Sequence, residues 1–505
     1  MLRESHILLF SIFIAGLCSI VYELLIATTG SYFLGDSITQ FSLTIGVYMA
    51  FMGVGSYLSR FVKDDKLLAQ FIGFELLLAL CGGLSVPLLY LAYALDISVQ
   101  ATSVTLTAVI GTLIGLEIPL LSRLMEKHYS LKANLSNVLS IDYFGALLAT
   151  LLFPFIFLPW LGIFKTSLMF GLINLSIALS LLWYFSSQIM DKPKYQLRMA
   201  LILVSVILIG TMASSARLNK AWNGHVFDDP VVHSEQTQYQ QIVMTRHKND
   251  VRLYLNGGLQ FSSIDEYRYH EVLVHPAMQR RDNIKNVLVL GGGDGLAVRE
   301  VLKYADVEHV TLVDLDPAVA RLARENHYLK DLNANALNSE KVSVWHGDAM
   351  VFLQQIKRKF DLVIVDLPDP KTVSLARLYS LQFYRLIGRA LTPSGIFVTQ
   401  ATSPFFAKEA FWSIRNTVAA SGMKDVKTFF ANVPSFGEWG FVMGCQSNCQ
   451  KPLKFEHIST RFYHHELDSA MQVLAGDQKV DKEVVSTLDR PNVLYLYLDG
   501  WRYWN

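Results

Sequence analysis

Charge is sparse in this chain. Asp, Glu, Lys and Arg together make up 17% of its 505 residues and nearly cancel, leaving a formal net charge of +1. A molecule so balanced has no overall electrostatic attraction to nucleic acid. Cysteine is scarcer still, with four residues. That number excludes a disulfide-built scaffold, and no histidine pair or second cysteine pair completes a zinc pattern with Cys445 and Cys449, so no metal is expected. Those two can join only in an oxidising compartment. Cys18 and Cys81 lie in apolar runs, as small core residues do. No repeat and no low-complexity segment interrupts the chain, which excludes solenoids and flexible tethers.

What is plentiful is apolar surface, at 52% of residues, and the length exceeds one ordinary domain. The distribution is uneven. Up to about Ser215 long apolar runs dominate; beyond it charge becomes frequent. Seven runs read as membrane spans: about Ile7–Thr28, Phe41–Phe61, Leu67–Leu95, Val99–Leu121, Val138–Trp160, Gly162–Ser186 and Met199–Ala216. The first is longer than a signal-peptide core and is followed by others, so it reads as a span. Gly46, Gly53, Gly55, Gly111 and Gly115 are small enough for close helix packing. Glu23 and Glu117 lie inside spans, where a carboxylate is costly; they mark either a cation path or protonated packing residues.

Loop charge predicts orientation. Arg60, Lys63 and Lys66, then Arg123, Lys127 and Lys132, then Lys192, Lys194 and Arg198 follow alternate spans, whereas the loops near Asp36 and Asp96 carry no Lys or Arg. The basic loops and the N-terminus are therefore expected in the cytoplasm of a multi-pass cell-membrane protein. Seven spans would carry the second half outside, yet Arg217 and Lys220 favour the inside, and the side is left open.

The second half begins with a strand-like region from Trp222, including a hairpin around His247–Asp250. A helix is expected from Asp265 to Gln279. Next come Val287–Leu290, an apolar strand, then Gly291-Gly292-Gly293-Asp294-Gly295, then helical spacing from Leu296. Strand, glycine turn and helix bring a nucleotide against backbone N–H groups. A second strand ends in Asp314, placed as a ribose-binding acid would be. A third leads to Gly347-Asp348-Ala349 and a fourth to Asp366-Leu367-Pro368-Asp369-Pro370. Acidic strand ends line the ligand crevice of an open α/β sheet.

These motifs (GGGDG with REVLKY, VDLD, GDA, DLPDP, and upstream YQQI and DEYRYHE) make the region from Gln236 to Gly444 resemble the spermidine synthase (polyamine aminopropyltransferase) family, here fused to an N-terminal transmembrane bundle. The expected fold is therefore multi-domain: a seven-helix transmembrane bundle at 1–216, a small β-rich domain at 222–280, a Rossmann-like, methyltransferase-type α/β domain at 281–450, and a packed tail at 451–505.

The resemblance implies transfer of an aminopropyl group from decarboxylated S-adenosylmethionine, as co-substrate rather than bound cofactor, to an amine, typically putrescine. By the same resemblance Asp366 is the catalytic base, and Tyr269, His270, Asp294, Asp369 and Gln400 face the amine. Gln240, Gln260, Asp294, Asp314, Asp348 and Ala349 would hold the donor. The chain departs from the family at Leu296, Leu367, Pro368, Thr372 and Val373, and Phe436 stands where a tyrosine is common. Two alternatives remain: a methyltransferase using intact S-adenosylmethionine, and a membrane polyamine transporter or sensor whose soluble half only binds. The expected partners are the small-molecule amine and nucleoside donor, the lipid bilayer and no nucleic acid, with a homodimer left open.

Overall fold

The computed structural model describes residues 2–34, 37–126, 129–449, 458–502 and 504. The loop at Asp36 and the basic residue Lys127, both used above to predict orientation, lie outside them. The chain divides into two compact units, Met1–Asp228 and Asp229–Asn505.

The first unit is helical: α1 (Leu2–Leu34), α2 (Ser37–Leu58), α3 (Leu67–Gly83), α4 (Ser85–Ala94), α5 (Val99–Met125), α6 (Leu131–Leu152), α7 (Leu158–Tyr184) and α8 (Asp191–Val226). Glycine sets the closest helix approaches. A Cβ at Gly115 would stand 2.1 Å from the Met52 carbonyl oxygen, and one at Gly55 2.0 Å from that of Thr112. Gly111 also packs closely, whereas Gly46 and Gly53, expected at such contacts, face open space.

Among the described residues, six helical stretches are long and apolar enough to cross a membrane. The expected third span is broken at Leu84 into α3 and α4. The carbonyls freed there are met by hydroxyls: Ser85 Oγ donates to Gly82 O at 2.7 Å and Ser167 Oγ to Gly83 O at 2.7 Å. The expected fifth and sixth spans merge into one stretch of 54 residues, Leu131–Tyr184. It turns back on itself at Gly162, whose φ of 71° and ψ of 172° are not helical. The rings of Phe157 and Phe170, on either side, are 5.0 Å apart, which a straight helix cannot allow. Glu117 is buried, as is Glu75 of α3, whose Oε2 accepts from Asn174 Nδ2 at 2.9 Å. Glu75 lies in an apolar run just as Glu23 and Glu117 do, and the same signal would have found it.

Helix α8 continues to Val226, past the expected end at 216 and through Trp222, where strand was expected. The Trp222 ring decides this locally. It packs among Tyr90, Tyr93 and Phe33, with centroids 4.6, 5.4 and 5.6 Å away, inside the helical unit.

The second unit opens with an antiparallel sheet in order β1-β2-β3-β4: β1 (Val231–Gln236), β2 (Gln241–His247), β3 (Asp250–Leu255) and β4 (Gly258–Ser262). Pairing of His247 with Asp250 closes the expected hairpin. A seven-stranded sheet follows, in order β10-β11-β9-β8-β5-β6-β7. Its strands are β5 (Asn286–Gly291), β6 (His309–Asp314), β7 (Val342–His346), β8 (Phe360–Asp366), β9 (Leu391–Gln400), β10 (Asp425–Val433) and β11 (Gly437–Cys445). The five strands β5 to β9 run parallel, and β10 and β11 are antiparallel. Val287–Leu290 and Leu362–Val365 are fully buried, as central strands covered on both faces must be.

The helices of this unit are α9 (Glu266–Met278), α10 (Leu296–Val301), α11 (Pro317–Glu325), α12 (His327–Leu332), α13 (Ala349–Gln355), α14 (Val373–Ala376), α15 (Leu381–Ala390), α16 (Lys408–Ala420), α17 (His465–Ala470) and α18 (Asn492–Trp501). Val493 and Leu494 of α18 are buried in the core formed with β8 and α16. Cys445 and Cys449 are joined as a disulfide, with Cα atoms 6.1 Å apart.

Candidate active site

The carboxyl ends of β5, β6 and β8 converge. β5 and β8 pair in parallel register, with Gly291 opposite Asp366. Gly291 has φ of 79°, and a Cβ there would strike the Asp366 carbonyl oxygen at 2.0 Å. Only glycine permits this approach. A Cβ at Gly293 would meet Asp314 Oδ2 at 2.5 Å; its N–H instead donates to that oxygen at 3.0 Å.

Asp314 also accepts from Asp316 N at 3.0 Å. Burial is the main influence on its carboxyl and lifts its pKa to about 6 against these N–H donors. Gln240 reaches the same turn, its Nε2 donating to Asp316 Oδ2 at 3.2 Å. Gln260, on β4, donates to Gly258 O at 3.0 Å. Asp348 caps α13, accepting from Met350 N and Val351 N at 2.9 and 3.0 Å, and pairs with Arg377. Ala349 is the first residue of α13. Asp348 thus performs the ordinary work of an N-cap, with its second oxygen taken by a guanidinium.

The residues expected to face an amine come together most tightly. Tyr269 donates from its hydroxyl to Asp366 Oδ1 at 2.7 Å. Burial, and then the Asp366 charge, hold this phenol well above its usual pKa, so it stays a donor. His270 Nε2 lies 4.0 Å from Asp366 Oδ2. Its Nδ1 donates to Glu266 Oε2 at 2.8 Å. Burial pushes the imidazole down, but the Glu266 carboxylate, aided by Asp366 and Asp294, outweighs it and raises the pKa to about 9. His270 is therefore a cation at neutral pH.

Asp294 caps the start of α10 through Leu296 N at 2.9 Å. Burial raises its pKa to about 6, with His270 opposing and Asp366 adding to the shift. Asp369 is also raised to about 6 by burial, which its donors Tyr497 and Gln400 and the charge of Lys371 oppose. Gln400, almost fully buried, holds the loop. Its Nε2 donates to Leu367 O at 2.8 Å and Asp369 Oδ1 at 3.3 Å, and contacts the Tyr379 hydroxyl. Its amide is committed to this loop and positions Asp369.

Several supporting residues were missed. Arg299 bridges Glu266 at 2.9 and 3.0 Å and Glu300 at 2.8 Å. Glu300 in turn holds His275 Nε2 at 2.8 Å, and His275 Nδ1 meets the Tyr304 hydroxyl at 2.9 Å. The DEYRYHE and REVLKY motifs are thus two halves of one buried ion network, which orients α9. Their opposite charges were the available signal. Asp265 secures the late loop by accepting from Ser435 N at 2.6 Å and Ser435 Oγ at 2.9 Å. Lys371 lies over the β3–β4 turn, its Nζ 2.9 Å from where a Gly258 Cβ would stand. Burial lowers its pKa, and Asp369 opposes this. Among the described residues, no group of three or more His, Cys, Asp or Glu side chains is arranged to hold a metal ion.

The chain is similar to several known proteins. The spermine/spermidine synthase domain matches residues 266–455. "Polyamine aminopropyltransferase 2" of Ralstonia nicotianae is 41% identical over 99% of both chains. "Polyamine aminopropyltransferase" of Leptospira interrogans is 42% identical over 97% of this chain and 98% of its own. The namesake of Mycobacterium tuberculosis is 36% identical over 99% and 97%. A crystal structure of spermidine synthase with the transition state analogue AdoDATO aligns with a TM-score of 0.46 and 25% identity, over 49% of this chain and 86% of that one.

Proposed function

The chain belongs to the spermidine synthase family of polyamine aminopropyltransferases, and from that premise we propose that it joins the aminopropyl group of decarboxylated S-adenosylmethionine to putrescine, giving spermidine and methylthioadenosine. The observation that carries this reading is the gathering of Asp294, Asp366 and Asp369 beside Tyr269. An amine is mostly protonated at neutral pH and must lose a proton before attacking. Asp366 accepts that proton. The freed nitrogen lone pair forms the new C–N bond as the C–S bond breaks, and the sulfonium leaves as a neutral thioether.

Tyr269 fixes the base, and the His270 cation stands beside it. Asp294 holds the ammonium of the donor's arm, Asp369 the far ammonium of the acceptor, and Gln400 keeps Asp369 in place. Asp314, with Gln240 nearby, takes the ribose, Gln260 lines the donor pocket, and Asp348 with Ala349 borders the adenine. No bound cofactor is required.

We read the helical unit as seven crossings of the cell membrane, counting the 54-residue stretch as two because it reverses at Gly162. It anchors the enzyme in lipid; a homodimer is compatible with this reading. Product analysis of purified protein, given decarboxylated or intact donor with a panel of amines, tests the activity. Methylated product from the intact donor would establish the methyltransferase reading instead, and binding without product a sensor or transporter.

A further inference from the structure

The chain after residue 458 carries no recognisable motif and lies beyond the matched domain, which ends at 455. It is nonetheless clamped to the helix that carries Tyr269 and His270. Glu271 of α9 accepts from the backbone N–H groups of Arg461, Phe462 and Tyr463, each at 2.8 Å. Arg280, just after α9, pairs with Asp468 at 2.7 Å, both fully buried. These contacts bring the tail round to α18.

That helix lies almost backbone to backbone on the start of α16: a Cβ at Gly500 would stand 2.8 Å from Ala407 Cα. Trp501 stacks on Phe406 with centroids 5.1 Å apart. Phe406 in turn fills the space beside Gly437, where a Cβ would meet its ring at 2.5 Å. Midway along α18, Tyr497 packs on the same core as Tyr379 and Leu367, the neighbours of Asp369, and its hydroxyl faces the Asp369 carboxylate.

We propose that α18 forms one wall of the amine site and that Tyr497 is a positioning residue, holding the Asp369 carboxylate oriented toward the far ammonium of the acceptor. The proposal rests on the aminopropyl reading above and names an acceptor-side residue that the family motifs do not contain. A hydroxyl donating to a carboxylate favours its charged form and fixes its direction. The groups facing Asp369 are Gln400 of β9, Tyr379 before α15, Lys371 of its own loop, Tyr269 of α9 and Tyr497 of α18. Tyr497 alone comes from outside the matched domain. Phe436 supplies no hydroxyl to this region, and α18 contributes one.

The test is calorimetric titration of putrescine against the full chain in detergent between pH 5 and 9, with product formation read in parallel. Tyr497→Phe keeps the ring and removes the oxygen. Putrescine affinity at pH 7 should fall by about five- to tenfold, as expected for a lost hydrogen bond to a charged group. The acid limb of binding should move to higher pH, because Asp369 loses a donor that favours its ionised form. Donor affinity should not change, nor should Tyr495→Phe, at an exposed neighbour, have an effect. In an Asp369→Asn background, Tyr497→Phe should add less than about twofold. An unmoved acid limb, or the same loss in the Asn background, would overturn the proposal. Putrescine binding that shifts as expected, with no product from the unmodified protein, would support the α18 wall while removing the aminopropyl reading.

Discussion

Tyr269 and Asp366 are 97 residues apart in sequence, and the tyrosine hydroxyl donates to the carboxylate at 2.7 Å. One comes from the first turn of α9, the other from the last position of β8. This contact fixes which oxygen of Asp366 remains for an incoming amine. Oδ1 is taken by the phenol, so in the proposed mechanism Oδ2, on the side of His270, would accept the proton.

Asp366→Asn keeps the shape but removes the charge and the proton acceptor. Turnover should fall by roughly two to four orders of magnitude, the usual worth of a positioned base. Donor affinity should change far less. Near-normal turnover of the Asn protein would remove Asp366 from the mechanism.

Asp294 should discriminate between donors. The decarboxylated donor ends its arm in an ammonium, whereas the intact one adds a carboxylate that Asp294 repels in a partly dry site. About 2 kcal/mol, more than tenfold in affinity, is expected for such a contact. The Asp294 pKa is raised to about 6, so the preference should be full at pH 8 and fade as pH falls through 6. Asp294→Asn should erase most of it. Calorimetry with both donors decides, and equal affinities in the unmodified protein would sink the aminopropyl reading.

Glu266 and His270 make a stability prediction with a definite sign. The imidazole pKa is raised from 6.5 to about 9 in the folded protein. Its stabilising contribution is therefore complete below about pH 6.5 and is lost as pH rises through 9. Glu266 itself is held below its usual value, despite burial, by His270 and Arg299, so its share is lost only in acid. Glu266→Gln removes one partner of a buried pair and should cost about 3–5 kcal/mol near neutrality. The drop in melting temperature between pH 7 and 10 should shrink with it. A variant that melts like the parent at pH 7 would show the pair to be unimportant.

Topology can be read by cysteine labelling in intact cells. Lys63→Cys should label only from the cytoplasm and Asp96→Cys only from outside, as the basic loops require. Label at Asn338→Cys reports the parity of crossings, since seven place it opposite the N-terminus and six on the same side. Labelling of position 96 from the cytoplasm would overturn the charge argument.

The glycine turn and the acidic strand ends were legible in the sequence because each is local. A strand of apolar residues, a turn that only glycine can make and a carboxylate at its tip lie within a few neighbours of one another. The apolar runs were legible for the same reason, since the length of a span is a property of contiguous chain. Pairings between distant segments were not. The opposite charges of the two motifs hinted at a pairing, but not that Arg299 would reach Glu266, 33 residues away, and nothing in an aromatic C-terminus says that Tyr497 meets Asp369. That Asn174 of α7 would meet Glu75 of α3 was not legible either, because the two are 99 residues apart. The end of α8 was misplaced because Trp222 gains its helical partners, Tyr90 and Tyr93, from another part of the chain. The sequence determined which chemical groups stand at the strand ends, through backbone rules that act over a few residues. The tertiary structure decided which of those groups are charged and aimed at one another, because burial and the partner across the fold set both.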